Sequence, residues 1–308
     1  MTRSRRLISA RAIGFLAIAA SANAQGPASP PPAPVPYSLP WQLRPAAITT
    51  GIRSDSSLGF WEDTAGLSGS TLVTGLIGTR RVSGSVALLG RLLYVNNNPP
   101  KMGAEPEASA VANPLVGATF LKTRAGGKRG GFFVAATVPI GTGGGDSPKP
   151  GQSQALSRGI ATRSAMDNTL FAVNYFGMVG GITVARVTPA LTVQAEATLL
   201  QVFRVRGPES QDEARTNFTA GAHLGRSFQP WLSAGVELRY QRWLSDAAPA
   251  RNDPSARETV TLAIGPRFHF KLGGSRWIRP GLSFTFPLDD PLSRQSYGMI
   301  QLDLPVTF

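Results

Sequence analysis

The C-terminal end of the chain sets an apolar side chain at every second position. Ile300, Leu302, Leu304, Val306 and Phe308 share one parity, while Gln301, Asp303, Pro305 and Thr307 take the other. A period of two marks a strand whose two faces differ. The same alternation runs through Leu191, Val193, Ala195, Ala197 and Leu199 against Thr192, Gln194, Glu196 and Thr198. It recurs in Leu232, Ala234, Val236, Leu238 and Tyr240 against Ser233, Gly235, Glu237, Arg239 and Gln241, and in the even positions of 132–140, 260–270 and 278–288. An oily sheet face must be covered by a protein core or by hydrocarbon, so alternation alone leaves a soluble sandwich open.

Strand length and connections decide between the two. The pattern predicts twelve strands, at about 42–53, 71–80, 85–96, 114–123, 130–140, 174–187, 191–206, 215–227, 231–244, 257–271, 277–288 and 297–308, with the first, second and sixth the most weakly patterned. Most exceed the roughly 5 to 6 residues usual in soluble sheets and suit a tilted membrane span of about 9 to 11. Connections alternate in length: 54–70, 97–113, 141–172, 207–214, 245–256 and 289–296 are long, and the turns between them are short. A sandwich has no reason for that asymmetry, whereas an outer-membrane barrel has tight periplasmic turns, longer outside loops and an even strand count. Backbone groups in lipid must all be paired, so such a sheet closes on itself. The expected fold is all-β, a twelve-stranded antiparallel transmembrane β-barrel over 41–308. No longer internal repeat suggests a propeller.

The N-terminal region fits export. Arg3, Arg5, Arg6 and Arg11 precede an apolar run from Ala12 to Ala20 and a small-residue end at Ala22-Asn23-Ala24, which predicts a signal peptide over 1–24, cleaved after Ala24. Ser4-Arg5-Arg6 hints at a twin-arginine signal, but an ordinary basic leader suits a barrel exported unfolded. Loss of those four arginines takes the formal charge from +13 to +9. Residues 25–40 are proline-rich and read as an extended or disordered periplasmic lead-in. With no cysteine, an exported chain is neither a disulfide scaffold, a lipoprotein nor a thiolate metal site. The expected location is the outer membrane, in contact with lipid and lipopolysaccharide.

The alternating run Ile300, Leu302, Leu304, Val306, Phe308 resembles the terminal assembly signal of bacterial outer-membrane proteins. That resemblance implies recognition by the barrel assembly machinery. Asn113-Pro114-Leu115-Val116-Gly117, followed by Pro139-Ile140-Gly141, is similar to a pair of segments in uncharacterised outer-membrane barrels of the phenol-degradation (MetA-pathway) type, which are presumed transporters.

The polar parity of the strands collects Arg91, Arg204, Arg206, Arg239, Arg267, His269, Lys271 and Arg279, with Glu196, Glu237 and Asp303 as the acids. A lumen lined this way is polar and net positive, and cations along a narrow aqueous pore concentrate anions. The functional expectation is passive passage of small hydrophilic solutes, anionic ones preferred. The competing reading is a non-conducting barrel filled by structural ion pairs such as Glu237 with Arg239. The connection 141–172 is too long for an idle turn and is expected to fold inward as a constriction. Its opening GTGGGDSPKPG lacks the spacing of a phosphate-binding loop. An outer-membrane hydrolase is the third class, for which only His223 and His269 offer an imidazole, with no supporting motif. No enzyme activity, cofactor, metal site or nucleic-acid partner is expected.

Overall fold

The computed structural model describes residues 37–308 apart from Ala104, so the leader (1–24) and residues 25–36 of the lead-in lie outside the described residues. Strands follow in chain order as β1 (Gly51–Glu62), β2 (Ser68–Arg81), β3 (Val86–Asn98), β4 (Ala108–Val111), β5 (Leu115–Thr123), β6 (Lys128–Thr137), β7 (Tyr175–Val187) and β8 (Leu191–Arg204). They continue as β9 (Ala214–Gln229), β10 (Leu232–Trp243), β11 (Glu258–Phe268), β12 (Phe270–Gly273), β13 (Arg276–Ile278), β14 (Gly281–Pro287) and β15 (Gly298–Thr307). All pairings are antiparallel. β4 and β5 both pair with β3 and make one wall position, interrupted at Asn113-Pro114, where proline has no N–H to give the ladder. β11 with β12, and β13 with β14 across Pro280, are likewise single wall positions broken by one irregularity. The last strand pairs with the first from Gly51↔Thr307 to Phe60↔Gly298, closing a ring of twelve.

The two parities now have a direction. Apolar side chains point outward and are exposed around the ring, among them Leu76, Leu92, Val134, Ile182, Leu238, Phe284 and Leu302. The opposite parity is buried and polar: Thr192, Gln194, Glu196, Ser233, Glu237, Arg239, Gln241, Gln301 and Asp303 all face inward. A soluble barrel has the reverse arrangement, and an apolar belt of this extent is stable only against hydrocarbon. No helix among the described residues is long and apolar enough to cross a membrane. The expected cost of a charge on the outer face follows. Leu302→Arg, at mid-strand opposite Ser56 and Leu282, should lose about 2–4 kcal/mol in a urea titration of the protein refolded into lipid vesicles. An unchanged midpoint would mean that this face does not meet lipid.

One strand lies elsewhere than the sequence pattern places it. The first strand is Gly51–Glu62, not 42–53. Pro45 disfavours the earlier segment as a ladder strand, and the wall instead runs on through Arg53-Ser54-Asp55-Ser56-Ser57, whose inward Asp55 and Ser57 fall in the expected connection 54–70 while Arg53 ends the expected strand. The first hairpin therefore turns over residues 63–67, hardly longer than the turns at 82–85 and 124–127. The remaining connections keep the asymmetry: 99–107, 138–174, 205–213, 244–257 and 288–297 at one mouth, against 188–190, 230–231 and 274–275 at the other. The long insertion 138–174 carries α1 (Gln152–Thr162) and α2 (Asn168–Phe171).

Candidate functional site

Residues 37–47, expected as the end of a spacer and the start of the wall, run inside the barrel from the short-turn mouth. Tyr37, Ser38, Leu39, Pro40, Trp41 and Leu43 are all buried. This strap has no sheet partner, so its backbone is satisfied by side chains of the lumen wall, as buried backbone must be. The Glu237 carboxylate accepts from the Trp41 N–H at 2.7 Å and the Gln42 N–H at 3.0 Å. Glu196 accepts from the Arg44 N–H at 3.2 Å and pairs with the Arg44 guanidinium at 2.7 Å, while Gln194 donates to the Arg44 carbonyl at 2.6 Å. Arg267 donates to the Leu39 carbonyl at 3.0 Å, and Arg53 to the carbonyls of Pro40 and Trp41. The wall makes room with glycine: a Cβ at Gly221 would lie 2.4 Å from Leu43 Cδ2, and one at Gly225 would lie 2.3 Å from Ser38 Cβ.

From the other mouth, the long insertion folds into the lumen as the sequence expects. Arg163, just past α1, is fully buried and fixed from three sides: both Asp55 oxygens accept from it at 2.8 and 2.7 Å, Ser57 Oγ at 2.9 Å and Asp167 at 2.9 Å. Asp167 also takes the Arg91 guanidinium at 2.8 Å. Around these pairs lies an apolar core of Ala155, Leu156, Leu170 and Phe171 from the insertion against Val73, Leu93, Val95, Leu200 and Val202 of the wall. The inner face of the barrel thus carries this apolar core toward the long-loop mouth, and toward the short-turn mouth it is mixed, with Leu121, Ala185 and Val187 packing on Tyr37, Leu39 and Ala46 of the strap beside the polar anchors.

Asn113 clasps the insertion at its neck. Its carbonyl oxygen accepts from the Gly141 N–H at 3.0 Å, and its amide donates to the carbonyls of Ala172 at 2.9 Å and Tyr175 at 3.3 Å. The Asn-Pro and Pro-x-Gly segments singled out in the sequence therefore meet, joining the two ends of one loop. Asn113→Ala takes the acceptor from the Gly141 N–H and one donor from the carbonyls of Ala172, which keeps the Tyr175 N–H, and of Tyr175, at about 1–3 kcal/mol for a buried group left unpaired. The expected result is faster proteolysis within 141–172, and an unchanged rate would deny the clasp its role.

Two wall residues link the plugs, each touching one of them directly and the other through a second wall side chain. Gln301 donates to the Trp41 carbonyl of the strap at 3.2 Å and to Asp55, the anchor of Arg163, at 2.8 Å. Arg239 donates to Glu237, the anchor of the strap, at 2.7 Å, and to Ser164 Oγ of the insertion at 3.4 Å.

Of the residues expected to line the lumen, Glu196, Glu237, Arg239, Arg267, Asp303, His269 and Arg279 are buried inside, and Arg91 is nearly so. They do not line open water. Asp303 takes both Arg53 at 2.5 Å and Arg267 at 2.6 Å, His269 Nε2 lies 2.8 Å from Ser233 Oγ, and Arg279 donates to Thr307 Oγ1 at 3.2 Å. Arg204 and Arg206 are half-buried at the long-loop mouth, donating to backbone carbonyls of Gly207 and of Val173 and Gly141. Lys271 is exposed at the short-turn end. Among the assembly-signal positions, Leu302, Leu304 and Phe308 are exposed on the outer face and Ile300 and Val306 are half-exposed beside them. Arg44, Arg53, Asp55, Arg163, Asp167 and Gln301 escaped sequence reasoning, and only the polar parity of 53, 55 and 57 could have signalled three-residue anchoring there.

One constellation resembles a hydrolytic triad without its geometry. Ser38 Oγ lies 3.4 Å from His223 Nε2, and His223 Nδ1 lies 3.8 Å from Glu237. The second distance is no hydrogen bond, Nδ1 has no partner, and Glu237 is already committed to two strap amides and Arg239. Nothing orients the imidazole as a base, and all three groups are sealed from solvent. Among the described residues no group of acidic or histidine side chains could hold a metal ion.

No protein-family model matches the chain, and no curated protein matches it. Among solved structures, an outer-membrane channel from Pseudomonas putida F1 is similar with a TM-score of 0.54 at 11% identity, covering 87% of this chain and 98% of that one. The KdgM porin has a TM-score of 0.47 at 10% identity over 83% of this chain and 99% of its own, and the NanC porin 0.47 at 9% over 83% and 98%. At such identities the likeness is one of fold. The chain has the closed twelve-stranded fold of outer-membrane β-barrels.

Proposed function

We propose that this protein is an outer-membrane channel for passive passage of small hydrophilic solutes, and that its resting state is closed by the strap and the insertion. The observation that carries this reading is what fills the lumen. A solid structural barrel is filled by its own wall side chains; here the space is taken by two chain segments tethered at one mouth each, and the strap is held by the polar wall groups Gln194, Glu196, Glu237 and Arg267 beside a small apolar cluster on Leu121, Ala185 and Val187. The short turns then face the periplasm and the long loops the outside, the leader directs export, and the terminal strand engages the assembly machinery. The first solved structure named above is itself called a channel, which agrees with this reading.

Selectivity for anions has less support than the arginine content suggests. Arg53, Arg91, Arg163, Arg239 and Arg267 each face a carboxylate, which cancels most of their field at short range. The second reading, a permanently plugged structural barrel, is favoured by the apolar core under α1 and α2.

Planar-bilayer recording separates the two. The full mature chain should be closed with rare openings. A chain lacking residues 37–47, or carrying Gly221→Leu to crowd out Leu43, should raise the mean current at least tenfold, because the strap leaves the lumen and Gln301, which also bonds Asp55 under the insertion, loses the Trp41 carbonyl. Inserted barrels that stay silent in both variants would leave the structural reading standing.

A further inference from the structure

The strap and the insertion do not quite meet. Between them lies a cavity of about 20 Å³, lined by Arg44 of the strap, by Met166–Leu170 of the insertion, and by Val179, Thr198, Leu200, Asn217 and Thr219 of the wall. Buried polar atoms are nearly always paired, and each exception asks for an explanation. Five such atoms belong to residues that line this one space. Asn168 Oδ1 and Nδ2, Thr169 Oγ1, Thr198 Oγ1 and Asn217 Oδ1 have no hydrogen-bond partner in the protein. Their residues are 0–6% exposed.

We infer that this chamber is a binding site for a neutral polyhydroxylated solute of the polyol or sugar class. The inference rests on the channel reading and names its substrate class. Three properties of the lining point to that chemistry. The free atoms are amides and hydroxyls, a mixture of donors and acceptors that suits hydroxyl groups, which are both. The charged neighbours are spent: Arg44 on Glu196, and Asp167 on Arg91 and Arg163. Leu170, Val179 and Leu200 supply an apolar side, as a sugar with hydroxyls at its edge and C–H bonds on its face requires.

Size sets the order of events. A cavity this small takes about one water molecule. A polyol therefore enters as the strap withdraws, and Arg44 goes with it. That withdrawal uncovers Glu196, whose unpaired carboxylate beside the chamber repels an anion while leaving a neutral solute unaffected. The site thus discriminates by charge only when open, and against anions.

The test is equilibrium binding by saturation-transfer NMR, with the full chain carrying Glu237→Ala to loosen the strap, and the chain lacking 37–47 as a second preparation. A detergent without a sugar headgroup is needed. The paired probes are glucitol and gluconate, of equal carbon skeleton and different charge. Glucitol should bind at least tenfold more tightly than gluconate. Thr198→Val, nearly isosteric, and Asn168→Ala should each weaken glucitol about tenfold, the loss of one well-made polar contact. Equal or tighter binding of gluconate, or no binding of either probe by preparations that carry current, overturns the chamber as a solute site. Glucitol binding by barrels that carry no current keeps the site and overturns the channel.

Discussion

Replacing Asp55 by alanine should release the insertion from the barrel without unfolding the barrel itself. Asp55 accepts both guanidinium nitrogens of Arg163, a side chain with no solvent exposure, and receives the Gln301 amide as well. Removing one partner of a buried pair leaves the other charged and unsolvated, at a cost of about 3–5 kcal/mol. Arg163 has a cheaper escape than global unfolding, because it sits on a loop tethered only at the long-loop mouth. The segment therefore undocks and takes Arg163 to water. In the folded, detergent-solubilised protein, trypsin cleavage after Arg158 and Arg163 should accelerate by about a hundredfold or more, while the ring of strands keeps its heat-resistant electrophoretic mobility. Unchanged cleavage would mean that the apolar core alone holds the loop. Asp55→Asn, which keeps the shape and one acceptor, should fall between.

Glu237→Ala should have a comparable effect at the opposite mouth. Three donors converge on that carboxylate, the N–H groups of Trp41 and Gln42 and the Arg239 Nε; Trp41 and Arg239 are buried and Gln42 is half-buried. The penalty is again about 3–5 kcal/mol for the stranded guanidinium, and the strap can relieve its own share by leaving. The protein has no cysteine, so a single Ser38→Cys reports the position of the strap cleanly. Reaction with a water-soluble maleimide should be slow in the otherwise unaltered chain and at least a hundredfold faster with Glu237→Ala. Equal rates would show that the carboxylate does not hold the segment. The expected current through Glu237→Ala barrels approaches that of the chain lacking 37–47.

The sequence made the wall legible because alternation between oil and water is enforced by the surroundings along each ribbon. Positions such as Leu191–Leu200 or Leu232–Gln241 carry that pattern whatever lies inside. The first strand was hidden by its inward side. Asp55 and Ser57 look like loop residues until the insertion that covers them is known. The strap was illegible for a related reason: it has no period, being neither strand nor helix, and its partners Glu196, Glu237 and Arg267 lie 150 or more residues away in the chain. The sequence brought the lumenal charges together by parity, but parity cannot tell a charge that faces water from one already paired. Asp303 between Arg53 and Arg267 is the plainest case.

The claim on which this account turns is that the chain closes its own lumen with residues 37–47. Backbone hydrogen exchange at Trp41 and Gln42 tests it most directly, since both amides lie outside any sheet and bond only to Glu237. With the strap seated, the two amides should exchange on the order of a thousandfold more slowly than an unstructured peptide, in the range of neighbouring wall strands. Exchange at the free-peptide rate in the intact folded protein would place the segment outside the barrel and contradict the account.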